Sequence, residues 1–146
     1  MQNPKNKMSK SDKNIKSCIN LVDDPEVIRL KIRKAKTDSE GSIKYDPVNR
    51  PEVANLLRIY AALEGIPVGK VDQLFQEDNM FSFKEKLSNV MIDKICPIGD
   101  KTLDLCRNKE EMLLEIVDMG AKEANQIAER TLSQMKKQVG ILRKLK

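Results

Sequence analysis

An all-α bundle is the fold class that this sequence predicts, and three observations carry it. Apolar residues recur with a period near 3.6 in five separate stretches, and helix start and stop residues stand at their ends. No stretch alternates polar and apolar residues as a half-buried strand would. Aromatic residues are only 3% of the 146, which argues against a β-sheet surface that stacks RNA bases on rings.

Residues 1–20 read as a polar loop, with Pro4 and several Asn and no helical period. Asp24 is placed to cap a first helix, Pro25 suits its first position, and Ile28, Ile32 and Ala35 share one face. That helix is expected to run to Thr37. Its other face carries Arg29, Lys31, Arg33, Lys34 and Lys36, a density suited either to a phosphate backbone or to plain solvation. Gly41, Pro47 and Asn49 mark residues 39–50 as a connecting loop. Pro51 then opens a second helix carrying Val53, Leu56, Leu57, Tyr60 and Leu63, with Gly65 as its C-cap. A short helix around Lys70 to Gln76 is expected to bury Val71, Leu74 and Phe75. The Ser82 to Glu85 pattern reads as a capping box for a helix with Phe83, Leu87, Val90, Met91 and Ile95 on one face, stopped by Pro97 and Gly99. Asn108 with Glu111 opens the last segment, where Leu113, Ile116, Val117, Ala124, Ile127, Ala128 and Met135 keep helical spacing across Gly120. These stripes and the seven methionines are expected in the core. Arg143 to Lys146 reads as a frayed basic tail.

A chain of 146 residues can bury roughly 68–70% of its unfolded surface, which suffices for one helical domain. The formal net charge of +5 is compatible with a polyanionic partner and equally ordinary for a soluble protein. Cys18, Cys96 and Cys106 are odd in number without CxxC spacing, so neither a disulfide framework nor a metal site is expected, and a reducing compartment is. No apolar run approaches a membrane span, so no membrane association is expected. There is no histidine, which removes imidazole bases and histidine metal ligands. Gly65-Ile66-Pro67-Val68-Gly69-Lys70 is one residue short of a Walker loop and lacks the following hydroxyl.

The residues with the most pointed chemistry are Lys7-Met8-Ser9-Lys10-Ser11-Asp12. A Lys/Ser run is by composition a solvated tail, yet two lysines three apart among hydroxyls also suit a mobile loop that clamps a polyphosphate. The spelling resembles the KMSKS signature of class I aminoacyl-tRNA synthetases. Downstream, Ile19-Asn20-Leu21, Asp24-Pro25-Glu26, Lys31 to Ala35, Thr37-Asp38-Ser39, Tyr45-Asp46-Pro47 with Asn49-Arg50-Pro51, and Asn55-Leu56-Leu57 follow in an order that resembles bacterial and organellar tryptophanyl-tRNA synthetases. The specific stretch runs from Lys7 to about Leu63. Lys13 stands where that family commonly has Pro, Cys18 where it has Arg, and Glu52 and Ala54 where it has Gly and Ser. None of these removes a phosphate-clamping group.

The resemblance implies the C-terminal portion of a tryptophan-tRNA ligase, starting just before the KMSKS loop. Residues 1–20 would be the loop and linker ending the catalytic domain, and 21–146 an anticodon-binding-type helical domain for tRNA(Trp). The histidine-bearing motif and the Rossmann half would lie outside this chain, leaving it inactive alone; tryptophan and ATP would bind only with that half. Lys7 and Lys10 would be catalytic, and Lys7, Met8, Ser9, Lys10 and Ser11 would bind ATP, accompanied by Mg²⁺, with no metal ligand from the protein. The family is homodimeric, largely through the Rossmann half, so a monomer is expected for this segment. The subtype serves bacterial cytoplasm and mitochondrial matrix, and the basic balance with the divergent loop tips the expectation to the matrix. The alternative is a stand-alone helical tRNA- or RNA-binding module that has lost catalysis.

Overall fold

The computed structural model describes residues 14–141, and among them there is no strand. A 3-10 turn at Ile15–Ser17 precedes α1 (Pro25–Arg33), α2 (Pro51–Glu64), α3 (Val68–Leu74), α4 (Met80–Asn108) and α5 (Glu110–Gln138). The all-α expectation holds. The chain separates into two compact units, one reaching Thr102 and the other beginning at Leu103.

In the first unit one core is built from all of α1 to α4. Ile28 and Ile32 of α1, Val53, Leu56, Leu57 and Ala61 of α2, Val71 of α3, and Phe83, Leu87 and Met91 of α4 are buried together, joined by Ile43 from the loop before α2. Phe75 stacks edge-on against Tyr60 at 4.9 Å and Phe83 at 4.8 Å, tying α2 and α4 through the end of α3. Gly65 ends α2 at φ 68°, in the left-handed region that favours glycine, as expected. The Ile66 N–H bonds back to the Ala61 carbonyl at 3.0 Å.

Several boundaries differ from expectation, and at the end of α1 a distant partner intervenes. α1 ends at Arg33 rather than Thr37. The Lys84 ammonium from α4 donates to the carbonyls of Ala35 at 2.7 Å and Arg33 at 3.4 Å, and to the Thr37 hydroxyl at 3.3 Å. A cation thus serves carbonyls that a longer helix would have paired internally. Asp24 holds the cap position with extended backbone but makes no side-chain cap bond. Leu74 is exposed, and Phe75 one residue on takes the core position.

α4 departs furthest. The Ser82 capping box is replaced by a cap at Asn79, whose side chain accepts from the Ser82 N–H at 2.9 Å, so the helix starts at Met80. Pro97 and Gly99 do not stop it. Proline removes one intrahelical bond, to the carbonyl of Asp93, an exposed residue within reach of water. Gly99 is buried because the Leu21 carbonyl lies where its Cβ would stand. The glycine is a contact point, not a stop.

The second unit comprises the end of α4 and α5. Asn108 closes α4, its amide on Asp104 at 2.7 Å, and α5 begins after Lys109 without a side-chain cap. No residue of α5 is buried, so the core role expected for Ile116, Val117, Ala124, Ile127, Ala128 and Met135 is not met; Leu113 alone of that stripe is half-buried. Of the methionines Met91 is core, whereas Met112, Met119 and Met135 are exposed. The basic tail at Arg143 to Lys146 lies outside the described residues.

Two glycine substitutions should therefore act in opposite directions in urea unfolding. Gly99→Ala would drive a methyl into the Leu21 carbonyl and is expected to destabilise by about 1–3 kcal/mol. Gly120→Ala meets nothing within 4 Å and is expected to stabilise by about 0.5–1 kcal/mol through helix propensity.

Candidate functional site

Lys7, Met8, Ser9, Lys10 and Ser11, the expected phosphate clamp, lie outside the described residues. What is on view is the frame from Asn14 onward that would carry such a loop. The Asn14 side chain accepts from the Lys16 N–H at 3.1 Å and caps the 3-10 turn. Ile19 then packs against the core. Asp23 accepts from the Asn20 N–H at 2.8 Å, the Asn20 amide at 3.3 Å and the Lys31 ammonium at 2.5 Å. Burial pushes the Asp23 carboxyl up, but the bonds from Lys31 and Asn20 prevail and hold it below the ordinary carboxylate value. Leu21 sits against Gly99 of α4. The chain is thus pinned to α4 at Leu21 and to α1 at Asp23.

The segments between α1 and α2 form a second structural node. Arg50 is buried, and its guanidinium donates to both Asp38 oxygens at 2.8 and 2.6 Å and to the Ser42 carbonyl at 2.8 Å. The Glu40 carboxylate approaches at 3.4 Å. Asp38 is held below the usual carboxylate range, first by the Arg50 fork against the opposing effect of burial, and Arg50 is raised in turn. Asp46 accepts from the N–H groups of Val48 and Asn49 and from the Asn49 amide, closing a tight turn. Tyr45 accepts at its hydroxyl from Arg58 at 2.8 Å, with that guanidinium over its ring. The Thr37 to Ser39 and Tyr45 to Pro51 signatures therefore build a loop, and they position the start of α2.

The basic face expected on α1 divides by role. Lys31 is buried on Asp23, contrary to expectation, and Lys36 pairs with Glu52 at 3.5 Å. Lys34 has the Lys16 ammonium beside it, and that neighbour with its like charge holds the Lys34 ammonium below the ordinary lysine value. Arg29 and Arg33 instead border a cleft of about 460 Å³ between α1 and the first turns of α4. Arg29 donates to the Asn89 side chain at 2.6 Å. Phe81 and Leu30 also line the cleft and are 67% and 44% exposed. Sequence reasoning missed this cleft; the signal was Phe81, an aromatic residue off the Phe83 stripe.

Cys18, Cys96 and Cys106 are free, and among the described residues no three His, Cys, Asp or Glu groups gather as a metal site. No described helix is long and apolar enough to cross a membrane.

Similarity to known proteins bears on both regions. The family model described as tRNA synthetases class I (W and Y) matches residues 2–93. The tryptophan–tRNA ligase of Bacillus anthracis is 40% identical over 141 residues, covering 97% of this chain and 42% of the relative. That of Rickettsia felis is 42% identical over 136 residues, covering 93% and 41%. The crystal structure of tryptophanyl-tRNA synthetase from Mycoplasma pneumoniae superposes with a TM-score of 0.81 at 28% identity, over 97% of this chain and 44% of that one. The chain thus spans less than half the length of these relatives.

The node predicts the acid behaviour of the fold. The Asp23, Asp38, Asp46 and Asp78 carboxyls all lie below their ordinary value in the folded chain. Their stabilisation is present above the unfolded pKa of about 3.9 and is lost as pH falls through the depressed values. With no histidine to titrate, the urea midpoint should be nearly flat from about pH 5 to 8 and drop below about pH 4. Asp38→Ala, which strands a buried guanidinium, should cost about 3 kcal/mol at neutral pH.

Proposed function

This chain belongs to the class I tRNA synthetases of tryptophan and tyrosine, and from that premise we propose that it is the C-terminal portion of a tryptophan–tRNA ligase. The observation that carries the choice of tryptophan is its 40% identity, over 97% of the chain, to an enzyme of that name. The Asn20, Asp38, Asp46 and Arg50 bonds support it, because residues that the resemblance singles out make a coherent frame. In this reading residues 1–20 carry the clamp loop and its linker, and residues 21–146 carry the tRNA-binding helices.

The chemistry assigned to the loop follows from where charge develops. When the tryptophan carboxylate attacks the α-phosphate of ATP, negative charge grows on the departing pyrophosphate. Ammonium groups at the β- and γ-phosphates stabilise that state more than they stabilise bound ATP, so they lower the barrier. Lys7 and Lys10 are assigned this role. Ser9 and Ser11 would orient the loop and donate to phosphate oxygens, Met8 would belong to the same ATP-binding run, and Mg²⁺ accompanying ATP would share the charge. The aminoacyl group would then pass to tRNA(Trp), held by basic helix surfaces through its phosphates. Homodimerisation would reside in the nucleotide-binding half.

In the enzyme assembled with that half, Lys10→Ala should slow tryptophan-dependent pyrophosphate exchange by about 10- to 100-fold, from a charged hydrogen bond of about 1.5–3 kcal/mol. A change below about twofold would show that the clamp role is wrong. The chain by itself should bind tRNA(Trp) at low salt and lose about tenfold in affinity between roughly 50 and 200 mM salt if two phosphates are neutralised. Absence of binding at low salt would remove the tRNA-binding role.

A further inference from the structure

We propose that α5 is a self-association surface, on which the α5 of a second copy of this chain packs antiparallel. The helix runs from Glu110 to Gln138, 29 residues with none buried, and is about 44 Å long. Full exposure would suit a helix that is polar on every side, and this one is not. Leu113, Val117, Ala124, Ala128 and Met135 recur at helical spacing down one face, and Val117, Ile127 and Met135 are 65%, 67% and 57% exposed. A helix in a folded protein draws most of its stability from burying such a face, and a long uncovered one marks an interaction site.

Two features select a second copy as the occupant. The stripe maps onto itself, because a two-fold axis at Ala124, the midpoint of the helix, sets Leu113 of one copy level with Met135 of the other and Val117 level with Thr131. Gly120 comes level with Ala128, so small residues let the two helix axes approach near the centre. Charge then selects the direction. Residues 110–118 hold the carboxylates of Glu110, Glu111, Glu115 and Asp118 and no cation, whereas residues 130–138 hold Arg130, Lys136 and Lys137 and no carboxylate. A parallel pair would align like charge with like charge at both ends. In an antiparallel pair Glu110 and Glu111 of one copy come within a turn of Lys136 and Lys137 of the other, and symmetry repeats the match at the opposite end. This association is separate from the homodimerisation assigned to the nucleotide-binding half, and it departs from the monomer expected for this segment.

The test is sedimentation equilibrium of this chain across the micromolar range, with helix content followed by circular dichroism. The wild type should reach a dimer. Lys136→Glu with Lys137→Glu, or Glu110→Lys with Glu111→Lys, should raise the dissociation constant by about tenfold or more, because each places like charges at both ends of the pair. All four substitutions together should restore the dimer, and so should mixing the two reversed variants. That rescue cannot come from better helix ends, since the fourfold variant opposes the helix dipole at both. Met135→Glu, at an exposed position of the stripe, should leave a monomer with unchanged helix content. If the wild type is a monomer throughout, the proposal is overturned and the stripe belongs to a different chain. If it dimerises and the reversals change nothing, pairing through α5 is wrong. Neither result touches tRNA binding or pyrophosphate exchange, so the function proposed above stands or falls separately.

Discussion

The fork between Arg50 and Asp38 is the interaction on which the rest of the first unit depends. The chain must turn between α1 and α2 while sending Ile43 into the core, so its polar backbone runs close to apolar surface and needs partners. Arg50 supplies them from one planar group, donating to the Asp38 carboxylate and the Ser42 carbonyl. Its own N–H closes on the Asp46 carbonyl at 2.9 Å, and its carbonyl accepts the first bond of α2, from Ala54. Loop closure and helix initiation are thus the same event. A lysine could not replace this arrangement, because a single ammonium cannot fork to a carboxylate and reach a carbonyl in fixed geometry.

A second cation, Lys84, plays the matching part at the other end of the loop. Burial pushes its ammonium down from the ordinary lysine value, yet it serves the carbonyls that end α1. Between them, Arg50 and Lys84 fasten both ends of the segment from Arg33 to Pro51 beside the core. The Asp23 to Lys31 pair does the same for the entry to α1. The most recognisable of the described residues therefore act mainly as a mount for α1 and α2.

Local physics made much of the fold legible in the sequence. The period of Val53, Leu56 and Leu57, the proline at each of two helix starts and the left-handed Gly65 depend only on neighbours in the chain, and each holds. The family was legible in the same way, through short runs whose spelling survives without a structure. The candidate cleft was not, because Arg29 and Arg33 differ from Lys31 only in direction, and direction depends on what the helix packs against. Period alone put Lys31 with the solvated cations, whereas Asp23 draws it into the interior.

What the sequence by itself determined is the all-α class, the start of α1, both ends of α2 and the family with its lysine loop, since propensity, capping and spelling are properties of adjacent residues. Only the tertiary structure decided that α1 stops early under Lys84, that Pro97 and Gly99 lie inside a helix with Gly99 against Leu21, that the α5 stripe stays unburied, and that Phe81 faces a cleft. The α1 end and Gly99 depend on Lys84 and Leu21, groups far away in the chain whose contacts outweigh the local preference, whereas the α5 stripe stays exposed because no described residue covers it.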